Sequence, residues 1–373
     1  MDDESLFSDQ DAAVTGLEYP FAATPAPGVA ITVAPGVYWV RMPMPMRLDH
    51  INLWLIEDGE GFVIVDTGLK TREIQACWET LLQNVMAGRP VTRIIVTHMH
   101  PDHVGMAGWL HQRTGAPLLM TRTEYLVASL LTAERGDSVP EDVLAFYRAA
   151  GFSEQQLEAR RKSGFGNFAR VVTPLPVFHH RLTDGQILRI GGRDWQIVVG
   201  EGHSPEHACM MCAELGVIIT GDQILPRISP NVSVFPREPE ADPLGDWLRS
   251  LHRLKTLLPA HLLALPAHNE PFYGLQLRLQ SLIDGHCAKL ERLARNLDRP
   301  KRAIETLNTL FGQKFDEPLV LGMATGETLA HLRFLEAAGL VERRRQDGVD
   351  YYQRRAADSP TRPAIAALAA RGC

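Results

Sequence analysis

The stretch "THMHPDHVG", Thr97 to Gly105, sets His98, His100, Asp102 and His103 within six positions. It directly follows "VTRIIV", a short apolar run suited to a β-strand covered on both faces. Groups that bind metal therefore gather where a strand ends. The following "DHVGMAGWLHQRTG" has helical spacing, with Asp102 placed as an N-cap and Gly115 as a C-cap.

The same pattern recurs downstream. "VVGEGHSPEH" puts His203 after a strand, "VIITGDQI" puts Asp222 after the next, and "LLALPAHNE" puts His268 after a third. Strand ends in a layered α/β body converge on one edge, where ligands collect. His98, His100, Asp102, His103, His203, Asp222 and His268 thus form one candidate ligand set. Histidine with carboxylate suits zinc or a similar divalent ion, and iron or manganese also fit such donors.

The rest of the chain supplies the scaffold. Residues 1–28 are polar and Pro/Ala-rich, an irregular N-terminal arm. From 29 the pattern is β, with runs such as "VAITVAPGVYWVRM" and "INLWLIEDGEGFVIVDTG" broken by Pro-Gly and Asp-Gly turns. "REIQACWETLLQNV" reads as a helix. Residues 121–168 hold only helical patterns, a helical insertion. Strands resume with "HHRLTDGQILRIGGRDWQIVVGEGH", "HACMMCAE" and "GVIITGD"; a Pro-rich loop covers 225–243 and a helix about 275–297. Strands, then helix and strand, occur twice, which predicts two sheets sandwiched between helices over 29–297. Residues 298–373 read as two helices and a hairpin around Asp347-Gly348, the outline of a small winged-helix domain.

The 373 residues exceed one ordinary core. With 45% hydrophobic and 22% charged residues, the composition is that of a soluble globular protein. A net charge of −6 gives no global attraction to nucleic acid or anionic lipid. No run spans a bilayer and the acidic N-terminus lacks a signal-peptide pattern, so a cytoplasmic protein is expected. The five cysteines, Cys77, Cys209, Cys212, Cys287 and Cys373, do not form a disulfide framework. Cys209 and Cys212, three apart on a predicted strand, point to opposite faces and cannot share an ion.

The order T-H-x-H-x-D-H, then G-H, G-D and A-H, together with "VDTG" at 65–68, resembles the metallo-β-lactamase superfamily over about residues 30–290. The resemblance implies an αββα sandwich with a two-metal site on one edge. It implies that His98, His100 and His203 hold one ion, that Asp102, His103 and His268 hold the other, and that Asp222 bridges them. A metal-bridging hydroxide would then attack the substrate, with Asp102 and Asp222 the catalytic carboxylates and two zinc ions the cofactor. Asp66 either orients a histidine or caps local backbone. His207 is expected on a strand or beside the ligands. His111, His252, His261, His286 and His331 are expected to be solvated or packed; His179 and His180 lie near the insertion.

The substrate is narrowed by departures from subfamily patterns. β-Lactamases have sulfur or serine where Asp222 stands. Flavo-diiron proteins have glutamate at His100. Quorum-sensing lactonases have tyrosine at Leu225. What remains resembles glyoxalase II and related thioester hydrolases acting on acyl-CoA or acyl-glutathione. The insertion is expected to cap the metals, with Leu126, Leu130, Phe146 and Phe165 either contacting an acyl group or only packing. Arg227 or Arg237 either meets a substrate anion or lies on the surface. The tail resembles that of β-lactamase-like-protein-2 relatives, which makes a single-strand endoribonuclease the alternative, with a lactonase and a DNA-binding regulator behind it. "TGETLAHLRFLEAAG" carries two glutamates and one arginine, and Glu342, Asp347 and Asp350 dilute Arg343, Arg344 and Arg345, so nucleic acid is not the expected partner. The tail is instead expected to pack beside the active-site edge or to form a homodimer contact.

Overall fold

A computed structural model describes residues 14–371, apart from Arg47, Arg135, Asp137, Ser163, Asp316 and residues 356–359. Residues 1–13 of the N-terminal arm and Cys373 lie outside the described residues.

Seven strands form the first sheet in chain order: β1 (Ala30–Ala34), β2 (Val37–Pro43), β3 (His50–Asp58), β4 (Gly61–Val65), β5 (Val91–Ile95), β6 (Leu118–Thr121) and β7 (His180–Leu182). β1 to β4 pair antiparallel, and β4 to β7 pair parallel. The parallel crossovers carry helices, as that geometry requires. These are α1 (Arg72–Thr80) with a π-turn at Leu81–Val85, α2 (Pro101–Val104), α3 (Ala107–Thr114) and the insertion, α4 (Arg122–Ala133), α5 (Glu141–Ala149), α6 (Glu154–Lys162) and α7 (Phe168–Val171).

The second sheet has five strands: β8 (Ile187–Ile190), β9 (Arg193–Gly200), β10 (His207–Cys212), β11 (Val217–Gly221) and β12 (Leu263–Pro266). α8 (Pro243–Leu257) links β11 to its parallel neighbour β12, and α9 (Leu275–Asn296) follows. The C-terminal segment adds α10 (Ala303–Phe311), α11 (Pro318–Ala337), the hairpin β13 (Val341–Gln346) and β14 (Val349–Arg354), and α12 (Arg362–Arg371). Asp347 and Gly348 both have positive φ, 50° and 79°, as a two-residue hairpin turn demands.

Alternation along the strands builds the layers. Ile51, Leu53 and Leu55 of β3 face α1 and α3, while Trp54 and Ile56 face the other sheet. Ala208, Met210 and Cys212 of β10 also enter the space between sheets. Cys209, on the opposite face, packs against α8 and α9. The two cysteines are therefore separated by the sheet, as expected. The result is helix, sheet, sheet, helix.

One local expectation needs correction. Asp102 is not an N-cap. The helix begins at Pro101, whose fixed φ suits a first position, so Asp102 falls inside the first turn and His100 takes the cap position. The helix also breaks at Met106, whose N–H bonds to Gly68 O (3.0 Å) and Thr67 Oγ1 (3.1 Å) after β4. The helices of the insertion pack on the C-terminal segment. Val139, Leu144, Tyr147, Phe152 and Leu157 share a core with Leu307, Phe315, Leu321 and Ala324 of the C-terminal segment. Phe146 and Phe165 pack there, while Leu126 and Leu130 are 56% and 50% exposed. The stretch within "TGETLAHLRFLEAAG" is the buried half of α11, in line with a tail that packs on the rest of the chain. From Ala324 to Leu335 every residue is buried, against α8, α9 and the loop before α8.

Candidate metal centre

Five strand ends meet at one edge. Asp66 follows β4, His98 to His103 follow β5, His203 follows β9, Asp222 follows β11 and His268 follows β12. All seven expected ligand residues come together there. Ligand atoms of His98, His100, His203 and Asp222 lie within 4.8 Å of one another, as do those of Asp102, His103 and His268.

Asp222 stands between the two groups. Its Oδ2 is 3.4 Å from His203 Nε2, 4.0 Å from His98 Nε2 and 3.5 Å from His103 Nε2. Its Oδ1 is 3.5 Å from His268 Nε2. Asp102 Oδ2 is 3.6 Å from His103 Nε2 and 3.4 Å from His268 Nε2. In the first group His98 Nε2 is 2.9 Å from His100 Nδ1 and 3.2 Å from His203 Nε2. A tetrahedral zinc site with Zn–N near 2.05 Å has donor–donor edges of about 3.4 Å. Among the described residues, His103 Nε2 and Asp222 Oδ1 are buried with no hydrogen-bond partner. Buried polar atoms left this way are costly, and a cation between the groups would satisfy both. The donor set and these two orphaned atoms fit divalent ions.

The other imidazole nitrogens are held. His203 Nδ1 lies 2.7 Å from Asn231 O, His268 Nδ1 2.9 Å from His50 O, and His103 Nδ1 2.8 Å from Asp66 Oδ2. Each contact places the ring proton on Nδ1 and leaves Nε2 free to bind. His98 Nδ1 is 3.1 Å from Thr97 Oγ1, and that hydroxyl is 2.9 Å from Asp66 Oδ2. Asp66 also accepts the Thr97 N–H at 2.8 Å. Asp66 thus orients a histidine, and through Thr97 it reaches a second. Its φ of 62° is tolerable because aspartate visits the left-handed region more readily than most residues.

Charge follows geometry. Burial and neighbouring imidazoles hold His98 well below the usual histidine range, and burial and His203 hold His100 down at about 3. Burial opposes charge on His103 and His268 too, but the carboxylates around them win and raise both. Asp222 is buried, yet the facing imidazoles keep it well below the usual carboxylate range.

Two further holding residues, Glu124 and Asn52, carry no local signal in the sequence, whereas His207 lies beside the cluster as expected. Glu124, on α4, is fully buried and accepts Met99 N–H (2.8 Å) and Glu206 N–H (2.7 Å), tying the His98–His103 turn to the His203 turn. Burial raises its pKa. Asn52 donates to Pro266 O (2.9 Å) and Asn269 O (2.7 Å), clamping the turn that carries His268. His207 is buried at the start of β10; its ring stacks on His98 at 4.7 Å and its Nε2 accepts the Asp222 N–H at 3.1 Å. Gly221 is needed at φ 49° because a Cβ there would lie 2.5 Å from His207 Nε2.

Other expected residues stand apart. Arg227 pairs with Glu270 (3.0 Å) over the Tyr19 ring, and Arg237 pairs with Glu134. His179 stacks on Tyr125, His180 is exposed on β7, and His111 bonds Ala116 O. Arg343, Arg344 and Arg345 each meet a carboxylate, from Glu240, Glu342 and Asp350 respectively.

Known proteins share the fold that carries this site. A Beta-lactamase domain protein from Burkholderia ambifaria is similar at 39% identity and TM-score 0.84, over 92% of this chain and 99% of that one. An Atrochrysone carboxyl ACP thioesterase of Aspergillus fumigatus is 22% identical over 71% of this chain, and the human Acyl-coenzyme A thioesterase MBLAC2 is 24% identical over 51%. The matches span 66% and 63% of those two proteins, just under two thirds of their length. Residues 290–355 match the description "Metallo-beta-lactamase-like, C-terminal domain". Residues 46–268, which carry all seven converging side chains, match the Metallo-beta-lactamase superfamily, and the chain belongs to that superfamily.

Proposed function

We propose that the protein is a binuclear zinc hydrolase whose preferred substrates are thioesters of the acyl-CoA or acyl-glutathione kind. The observation that carries this reading is the convergence of seven donors in two groups about Asp222, with Asp222 Oδ1 and His103 Nε2 buried and without a hydrogen-bond partner. His98, His100 and His203 would hold one ion, Asp102, His103 and His268 the other, and Asp222 both. Such ions supply Lewis acidity and lower the pKa of bound water towards 7. The residues do the rest. Asp66, His50 O and Asn231 O hold protons on Nδ1, so three Nε2 atoms stay available. Asp102 and Asp222 supply two negative charges, which would offset half the charge of two divalent ions.

The thioester preference rests on leaving-group chemistry. A thiolate departs without a strong general acid, whereas an amide nitrogen must be protonated. The carboxylates at this site are ligands, and Glu124 is committed to two backbone N–H groups. The relatives named as thioesterases support the same class. Against a nucleic-acid substrate stand the buried α11 and the paired Arg343, Arg344 and Arg345. Against a lactonase stands Leu225, buried and apolar. The domain reading follows the same division, with a catalytic unit over 29–297 and a C-terminal unit from 298 that docks on it.

The test is a hydrolysis panel of acyl-CoA, acyl-glutathione, lactone and single-stranded RNA on zinc-loaded protein, with elemental analysis. About two zinc ions per chain and fastest turnover of a thioester are expected. One ion or none after loading would sink the binuclear reading. Metal-dependent RNA cleavage without thioester turnover would replace the substrate.

A further inference from the structure

The loop from 225 to 242 has no regular secondary structure, yet it supplies the carbonyl that fixes His203. Something outside the loop must set that carbonyl. Its first part is held by α9, where the buried Arg278 donates to Ile228 O at 2.9 Å. From Asn231 onward the hold passes to α11. Asn231 Nδ2 donates to Glu327 Oε2 at 3.2 Å. Val234 N–H donates to Gly326 O at 3.1 Å, and Arg333 Nη2 donates to Pro239 O at 2.6 Å. Ser233 Oγ closes the turn by donating to Asn231 Oδ1.

The approach is close. A Cβ on Gly326 would lie 2.9 Å from Ser233 Oγ and 3.0 Å from Val234 O. Glu327 is itself fixed, since its Oε1 lies 3.4 Å from Lys289 Nζ of α9 and both side chains are buried. The order of contacts is therefore Lys289, Glu327, Asn231, His203.

We infer that Glu327 of α11, acting through Asn231, is a positioning residue for His203, so that the C-terminal segment completes the first metal group. An Asn231 carbonyl held in place keeps the His203 proton on Nδ1 and aims Nε2 at His98 and Asp222. When the loop drifts, the ring is free to rotate or to change tautomer, and that group loses one of its donors. The second group, held by Asp66 and His50, does not depend on α11. The inference rests on the metal role proposed for His98, His100 and His203.

The test uses the full chain and a charge exchange. Asn231→Asp keeps the side-chain shape but sets a carboxylate against Glu327. Glu327→Gln on top of it reverses the polarity, lets the amide donate, and keeps one negative charge in the chain of contacts, now at position 231. Zinc affinity is read by chelator competition, and first-group geometry by the cobalt(II) spectrum. Asn231→Asp should weaken the first-group ion by about 10-fold or more, leave the second ion near the parent value, and alter the cobalt spectrum; the double variant should restore both. Asn231→Ala, which leaves the Lys289–Glu327 pair intact, should fall between, and it reads the same effect if the carboxylate variant does not fold. Parent-like affinity and spectrum in folded Asn231→Asp and Asn231→Ala would overturn the inference. Equal weakening of both ions would also overturn it, because that is general loosening. A parent protein that takes up no ion would sink the underlying metal reading instead.

Discussion

Replacing Asp66 by Asn isolates one proton at the metal centre. The side chain keeps its size, and asparagine tolerates the φ of 62°. What changes is which atoms accept. In the parent, Oδ1 takes the Thr97 N–H at 2.8 Å and Oδ2 takes the His103 Nδ1 proton at 2.8 Å. An amide has one oxygen. With that oxygen on Thr97, the NH₂ group faces His103 Nδ1, which must then accept. The His103 proton moves to Nε2, the atom expected to bind metal. With the oxygen on His103, the NH₂ group faces the Thr97 N–H, donor against donor. Either orientation loses one hydrogen bond to a charged group, about 1.5–3 kcal/mol. At about 1.4 kcal/mol per decade that is roughly 10–100-fold in affinity, within the range typical of residues that orient metal ligands. The ion of the Asp102, His103 and His268 group should weaken first. His98 should be affected less, because it reaches Asp66 only through Thr97 Oγ1. Zinc titration against a chelator, with thioester turnover on the same preparations, measures this. Parent affinity for both ions and parent turnover in Asp66→Asn would refute the tautomer argument.

Asp222→Ala should lose most hydrolytic activity and metal as well, whereas Asp222→Asn should lose activity with smaller metal loss; two retained ions and near-normal turnover in the alanine variant would contradict a bridging role. Asn52→Ala removes the Asn52 donor from Pro266 O and from Asn269 O, which keeps Arg41 Nη2 at 3.0 Å, and the loss of these two hydrogen bonds should cost about 1–3 kcal/mol, read as a lower unfolding midpoint and a weaker second-group ion. Zinc uptake should release protons, and affinity should fall as pH falls, because the carboxylates and imidazoles bind metal only when deprotonated. Calorimetry in buffers of different ionisation enthalpy detects that release, and a buffer-independent heat would contradict it.

The seven converging residues were legible because each obeys a local rule. A short apolar strand ends, and the next residues are histidine or aspartate. Two sheets with parallel crossovers then bring those ends to one edge, so motif and topology together locate the site. The residues that hold these side chains in place obey no such rule. Asn52 meets Pro266 across the whole catalytic unit, and Asn231 meets Glu327 from another segment. In one dimension Asn231 is a polar residue in a Pro-rich loop, and Glu327 is an acid on a helix. Asp66 was half legible, since "VDTG" marks a turn after a strand but leaves open whether its carboxylate caps backbone or holds a ring. In the structure it does both, binding the Thr97 N–H and His103 Nδ1.

The helices misled for a related reason. Amphipathic spacing says that a face is buried, not what buries it. The insertion shows apolar positions that suit a lid, yet Leu144, Tyr147 and Leu157 pack with Leu307 and Leu321. The charges on α11 exclude a DNA reader for the wrong cause when read along the chain. Glu327 is not there to repel phosphate; it is buried against Lys289 and Asn231. Arg333 likewise binds Pro239 O and Glu240 in the loop that serves His203. One helix thus carries an acid and a base on the same errand, holding an irregular loop whose carbonyl fixes the His203 ring. That gives the C-terminal segment a reason to be attached to this catalytic unit that requires no nucleic acid.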